Sequence, residues 1–161
     1  MILEKTFYHD LAKVTSLHLF DEAFPTEGHN WPMASDFELR HTESHGEQIV
    51  SKRLFLPGDV VAEFMGILLP VQTLFTLQII PGLYLHDPYF MGKILHSCAP
   101  NMHCDMEKRV FFAKTLIDIG DVLTMDYETT EDYLYRSFHC QCGSPSCRGL
   151  INGRLASKQE G

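Results

Sequence analysis

Three cysteines fall within eight residues in Cys140-Gln-Cys142-Gly-Ser-Pro-Ser-Cys147-Arg-Gly149, the stretch of this sequence best suited to chemistry. Gly143 and Pro145 make it too turn-rich for a helix or strand. The spacing Cys-x-Cys-x4-Cys suits one tetrahedral Zn²⁺, which thiolates reach at ~2.3 Å. Three thiolates leave a structural site one ligand short. The other two of the five cysteines are Cys98 and Cys104. The missing ligand is expected from there, and His103 and His139 are further candidates. A metal held in this way staples the C-terminal tail to the middle of the chain. The competing reading is a set of reduced thiols without metal.

The rest of the chain must supply a body to which that tail attaches. The 161 residues suffice for one domain with a real core, and 45% hydrophobic and 21% charged residues are ordinary for a globular protein. The net charge of −8 argues against nucleic acid as a partner and tolerates a basic peptide. The N-terminus lacks a basic segment followed by a long apolar run, and the most apolar window, 60–80, carries Glu63, Pro70, Gln72 and Gln78. No membrane span and a cytoplasmic or nuclear location, not secretion, are therefore expected.

Short strands are predicted over 37–41, 48–56, 60–65, 71–80, 109–113 and 122–127. The turn signals between them include Pro57-Gly58-Asp59, Pro81-Gly82 and Ile119-Gly120-Asp121. Asp87-Pro88 predicts the start of a short helix running toward Leu95. Helix-like spacing of Phe7, Leu11, Val14 and Leu17 is broken by Pro25 and Pro32, and residues 1–35 form a segment of undetermined role. The sum is a mainly β, irregular domain.

Three motifs in register resemble the SET domain of protein-lysine methyltransferases. They are His96-Ser-Cys-Ala-Pro-Asn101, the segment from Ala113 to Leu123-Thr-Met-Asp-Tyr127, and the Cys140–Gly149 stretch, which is similar to the family's post-SET zinc motif. Leu56-Pro-Gly-Asp-Val-Val-Ala-Glu-Phe-Met-Gly66 is a weaker fourth match. The resemblance implies several short curved sheets, a threaded, pseudoknot-like C-terminal segment and a post-SET zinc site. It places a SET domain over 36–138 and a zinc-binding tail over 139–161. It further implies that Cys98 joins Cys140, Cys142 and Cys147 as zinc ligand and that Tyr127 is the catalytic residue. S-adenosylmethionine is the implied methyl donor, contacted by His96, Ser97, Gly46, Phe138 and Arg148. Asn101, Asp126 and Thr124 hold the threaded segment.

The chain also departs from that pattern. Leu95 replaces an asparagine that bonds the donor, and Gly46-Glu47-Gln48 keeps one glycine of a Gly-x-Gly. Phe64 stands for a second tyrosine and Met125 for an aromatic residue. The insert before His96 is short. The expected activity is transfer of a methyl group to a lysine ε-amine of a protein or peptide. The alternatives are a small-molecule or carrier-bound amine, or a non-catalytic binding protein, with homodimerisation left open. Arg148, apart from the resemblance, reads as solvated, and Glu128, Glu131 and Asp132 read as a solvated acidic loop. Phe111, Phe112, Tyr133, Tyr135 and Phe138 read as core, Cys104 as a buried thiol, and His9, His18, His29, His41 and His45 as surface residues.

Overall fold

The computed structural model describes residues 31–156, so the expectations for Phe7 to Pro25 and for His9, His18 and His29 lie outside the described residues. Twelve short strands follow one another: β1 (Phe37–Thr42), β2 (Gly46–Ser51), β3 (Val60–Glu63), β4 (Ile67–Leu69), β5 (Thr76–Ile80), β6 (Leu83–His86), β7 (Leu95–His96), β8 (Met102–Asp105), β9 (Val110–Ala113), β10 (Thr124–Met125), β11 (Phe138–His139) and β12 (Leu150–Ile151). They form five small sheets, namely β1-β2, β3-β9-β8, β4-β6-β5, β10-β7 and β11-β12. All pairings are antiparallel except β7 with β10. The mainly β expectation holds.

The hairpins follow from turn chemistry and one-sided burial. β1 reaches β2 through a turn ending at Gly46, whose φ of 69° suits a residue without Cβ. Phe37, Ile49, Phe55, Phe90, Phe111 and Ile117 fill the centre, with Phe37 edge-on to Phe90 at 4.9 Å between ring centroids.

Several elements are shorter than the sequence pattern predicts, each because a local hydrogen bond competes. β2 ends at Ser51, whose hydroxyl bonds the Arg53 carbonyl at 2.6 Å, and Phe55 instead makes a lone bridge to Ile117. β5 begins only at Thr76, whose hydroxyl turns back to the Thr73 carbonyl at 3.0 Å. The helix expected after Pro88 shrinks to one 3-10 turn over Met91–Lys93. The Asp87 carboxylate takes the N–H groups of Tyr89, Phe90 and Met91 at 2.8, 3.3 and 2.9 Å, and a Cβ on Gly92 would sit 2.2 Å from the Asp87 carbonyl oxygen. The strand expected over 122–127 is the two-residue β10, after which Asp126 caps a 3-10 turn over Tyr127–Thr129.

The parallel pairing of β7 with β10 sets the topology. Leu95 lies beside Thr124 and His96 beside Met125, although nearly thirty residues of hairpin separate the strands. Asn101 locks the crossing. Its Nδ2 donates to the Val122 carbonyl (2.9 Å), and its Oδ1 accepts from Thr124 N (2.9 Å) and Thr124 Oγ1 (3.2 Å). The Asn101 N–H donates to Thr124 Oγ1 at 3.1 Å. Asp126, expected to share in this clasp, instead holds the turn after it.

Replacing Asn101 by Ala removes three side-chain hydrogen bonds and strands backbone groups of the crossing. We expect a loss of about 2–3 kcal/mol in denaturant unfolding. A loss under about 0.5 kcal/mol would show that the crossing does not depend on this side chain.

Candidate functional site

The crossing brings Tyr127 and His96 together. The Tyr127 backbone N–H donates to His96 Nδ1 at 3.2 Å, which leaves the ring proton on Nε2. That nitrogen lies 3.4 Å from Cys98 Sγ and donates to it. Burial holds the imidazole pKa below its ordinary value, against the opposing pull of the Asp126 carboxylate, which favours the neutral ring. The Tyr127 hydroxyl donates to the Ile94 carbonyl at 2.7 Å. Burial, with the charge of Glu131 second, pushes the phenol above its usual range, so it is neutral at physiological pH. Tyr127, His96 and Phe138 meet edge to face, with centroids 5.2 to 6.0 Å apart.

Cys98, Cys140, Cys142 and Cys147 come together with all four sulfurs within 4.8 Å of one another. Cys98 and Cys140 sulfurs are 3.8 Å apart, which matches the edge of a ZnS₄ tetrahedron with ~2.3 Å bonds. The Arg148 N–H donates to Cys98 Sγ at 3.4 Å. Burial pushes the Cys140 thiol up to about 12, while the Ser144 backbone N–H holds Cys142 down at about 6. Crowded thiols ionise together only around a cation, so the donor set fits a structural zinc. Cys104 is elsewhere, 6% exposed in the core, and burial pushes its thiol up.

Beside this cluster opens a cleft of about 700 Å³, within the range of small-ligand sites. His96, Ser97, Tyr127 and Phe138 line it, as do Cys140 and Cys142. Gly46 does not, although Ser44, His45 and Gln48 around it do. Leu95 lines the cleft. Phe64 lies in the core, its ring 4.7 Å from Phe111, and Met125 is buried.

Arg148 lies off the cleft wall and stays exposed, as the solvated reading has it, but its head group is paired. Its guanidinium grips Asp126 through NH1 (3.0 Å) and NH2 (2.6 Å) and reaches Glu128 through Nε at 2.9 Å. The acidic loop differs too. Glu131 is 3% exposed and lines the cleft, while Asp132 accepts from Gln78 Nε2 (2.6 Å) and Arg154 Nε (2.7 Å). Tyr133 and Tyr135, expected in the core, are about half exposed because this segment lies over β5. Glu131 has one sequence signal: it stands four residues after Tyr127, beyond an aspartate that caps the turn.

No protein-family model matches the chain. Methyltransferase flvH of Aspergillus flavus is 38% identical over 87 residues, covering 52% of this chain and 48% of that protein. The histone-lysine N-methyltransferase EHMT1 of Homo sapiens is 31% identical over 147 residues, 76% of this chain but 11% of that protein. Among solved structures, the methyltransferase domain of human SETMAR superposes with a TM-score of 0.59 at 17% identity, covering 73% of this chain and 58% of that one. The chain is a SET-domain protein. KRYPTONITE, in complex with mCHG DNA and SAH, also matches with a TM-score of 0.59 at 24% identity, over 71% of this chain and 28% of that one. These structural likenesses establish the fold. The SET domain described here spans about half the length, or less, of those curated relatives. The DNA in the KRYPTONITE complex gives no support to the expectation, drawn from net charge, that nucleic acid is excluded. Among the described residues no helix is long and apolar enough to cross a membrane.

Purified protein should carry about one zinc per chain, and chelation should lower the melting temperature by many degrees. Cys98→Ser should abolish stoichiometric zinc, and His96→Ala, which removes the hydrogen bond to Cys98, should weaken zinc in chelator competition by roughly 10–100-fold. Unchanged melting in excess chelator would contradict the assignment.

Proposed function

We propose that this domain transfers a methyl group from S-adenosylmethionine to an amine nitrogen, with the ε-amine of a protein lysine as acceptor. The observation that carries the reading is Tyr127. Its neutral phenol lies on the wall of a 700 Å³ cleft, between His96 and Phe138 and next to the four-cysteine cluster. The names of the relatives point the same way, since most are histone-lysine methyltransferases, and KRYPTONITE is crystallised with SAH.

When bound, the donor supplies an electrophilic methyl on a sulfonium. The residues of the chain align and dry the site. With its proton committed to the Ile94 carbonyl, the Tyr127 oxygen is left as an acceptor for an amine N–H, which orients the nitrogen lone pair for in-line attack. Transfer would form the N–C bond as the C–S bond breaks, leaving the electron pair on sulfur and the positive charge on the nitrogen that Tyr127 holds. His96, Ser97 and Phe138 would hold the donor, with Gly46 shaping the loop alongside. Arg148, engaged by Asp126 and Glu128, would act by fixing the turn that carries Tyr127 rather than by touching the donor. Cys98, Cys140, Cys142 and Cys147 would hold the zinc that closes the end of the cleft. On this reading residues 36–138 are the SET body and 139–161 the zinc-binding tail, in a reducing compartment that keeps the thiols free.

One observation favours a second acceptor class. Only residues 87–94 connect β6 to β7, a short platform for a peptide, so a small amine or a carrier-bound amine is the alternative acceptor.

Tyr127→Phe should lower methyl transfer from labelled donor to lysine-containing peptides or small amines by about 10²-fold or more. Donor affinity and zinc content should stay unchanged. A variant as active as wild type would contradict the role given to Tyr127, and a wild type silent on every amine would favour the non-catalytic reading.

A further inference from the structure

Glu131 is the single acidic side chain among the described residues that line the cleft. It is 97% buried. Its oxygens accept from the Gln78 backbone N–H at 2.7 Å and from Gln72 Nε2 at 3.2 Å, both neutral donors. The nearby Arg154 gives its Nε–H to Asp132, and among the described residues no ion pair reaches Glu131. A buried carboxylate held by the neutral donors Gln78, Gln72 and Thr130, with Arg154 acting on it only at longer range, costs stability that an amide side chain would not. Attachment of this segment to β5 does not need the charge. Gln78 already bonds Asp132 on both sides, through Nε2 at 2.6 Å and through Oε1 to the Asp132 N–H at 3.1 Å.

The position of Glu131 suggests what the charge is for. The Glu131 N–H donates to the Tyr127 carbonyl at 2.9 Å, so the two residues stand one turn apart and project to the same side. Both side chains reach the same cleft. We propose that the Glu131 carboxylate receives the cationic amine of the acceptor beside Tyr127 and takes one of its protons, which frees the nitrogen lone pair that attacks, so that the acceptors of this domain arrive as alkylammonium groups. This rests on the methyl-transfer reading above and names the residue that selects its substrate class. The charge of Glu131 raises the Tyr127 phenol, which shows the two groups close enough to share one ligand, and burial, which pushes the Glu131 carboxyl up, makes a cationic partner the more favourable.

The test measures binding of n-butylammonium and of its uncharged analogue 1-butanol to zinc-loaded protein saturated with S-adenosylhomocysteine. Wild type should prefer the ammonium by about ten-fold or more. Glu131→Gln keeps an acceptor for the Gln78 N–H, and it should erase the preference while leaving S-adenosylhomocysteine affinity intact. The folded-state pKa of Glu131 lies above the unfolded one. Its contribution therefore favours folding at low pH and is lost as pH rises through the folded value. Where it is ionised the group opposes folding, and Glu131→Gln should melt no lower than wild type. A wild-type preference near one overturns the inference without any variant. So does an unchanged preference in Glu131→Gln, or a variant that melts well below wild type and loses the nucleoside, which would make Glu131 a structural staple. Wild type that does not bind S-adenosylhomocysteine would overturn the methyl-transfer reading itself, and this inference with it.

Discussion

The pairing of β7 with β10, closed by the Asn101 side chain, is the constraint on which the rest of this structure depends. Two-residue strands have almost no stability of their own. They persist here because Asn101 supplies three side-chain hydrogen bonds and because Ile94, Leu123 and Met125 on either side are buried. Parallel neighbours need a long connection, and the β8-β9 hairpin is that connection. The crossing places His96 under Tyr127 and delivers Cys98 to the C-terminal cysteines.

From this crossing the four-thiol cluster and the cleft become one unit. His96 touches both, through Nδ1 to the Tyr127 N–H and through Nε2 to Cys98 Sγ. Arg148 makes a second tie: its backbone reaches Cys98 Sγ while its guanidinium grips Asp126, the residue before Tyr127. Loss of metal would therefore loosen the turn that carries Tyr127 as well as the tail. The same turn carries Glu131, so the two polar groups given to the acceptor under the proposed function are positioned by one backbone element.

Much of this was legible in the residues. The cysteine spacing predicts a metal site, and the resemblance of His96–Asn101 and of the Tyr127 segment to SET domains supplies Cys98 and the threaded topology. Turns such as Pro57-Gly58-Asp59 and Ile119-Gly120-Asp121 are local events that backbone conformation dictates, and they fall where expected, with Gly58 at φ 93° and Gly120 at φ 92°. What was not legible depends on partners distant in sequence. Glu131 reads as solvated until Gln72 and Gln78, more than fifty residues away, are seen to bury it. Arg148 reads as free until Asp126 and Glu128 are folded against it. Tyr133 and Tyr135 read as core because aromatic content cannot say which side of β5 the segment covers. Strand lengths fail for a third reason: the Ser51, Thr76 and Asp87 side chains take backbone groups that periodicity assigns to ladders or helix.

Methyl transfer by this domain requires that the cleft next to the four-cysteine cluster be a donor site. Calorimetric titration of the zinc-loaded protein with S-adenosylmethionine tests this most directly. The account predicts one site per chain with micromolar affinity, despite Leu95 on the cleft wall and the single glycine at Gly46. Silence up to millimolar donor, from protein confirmed folded and carrying zinc, would contradict it and leave Tyr127 a tyrosine of the core.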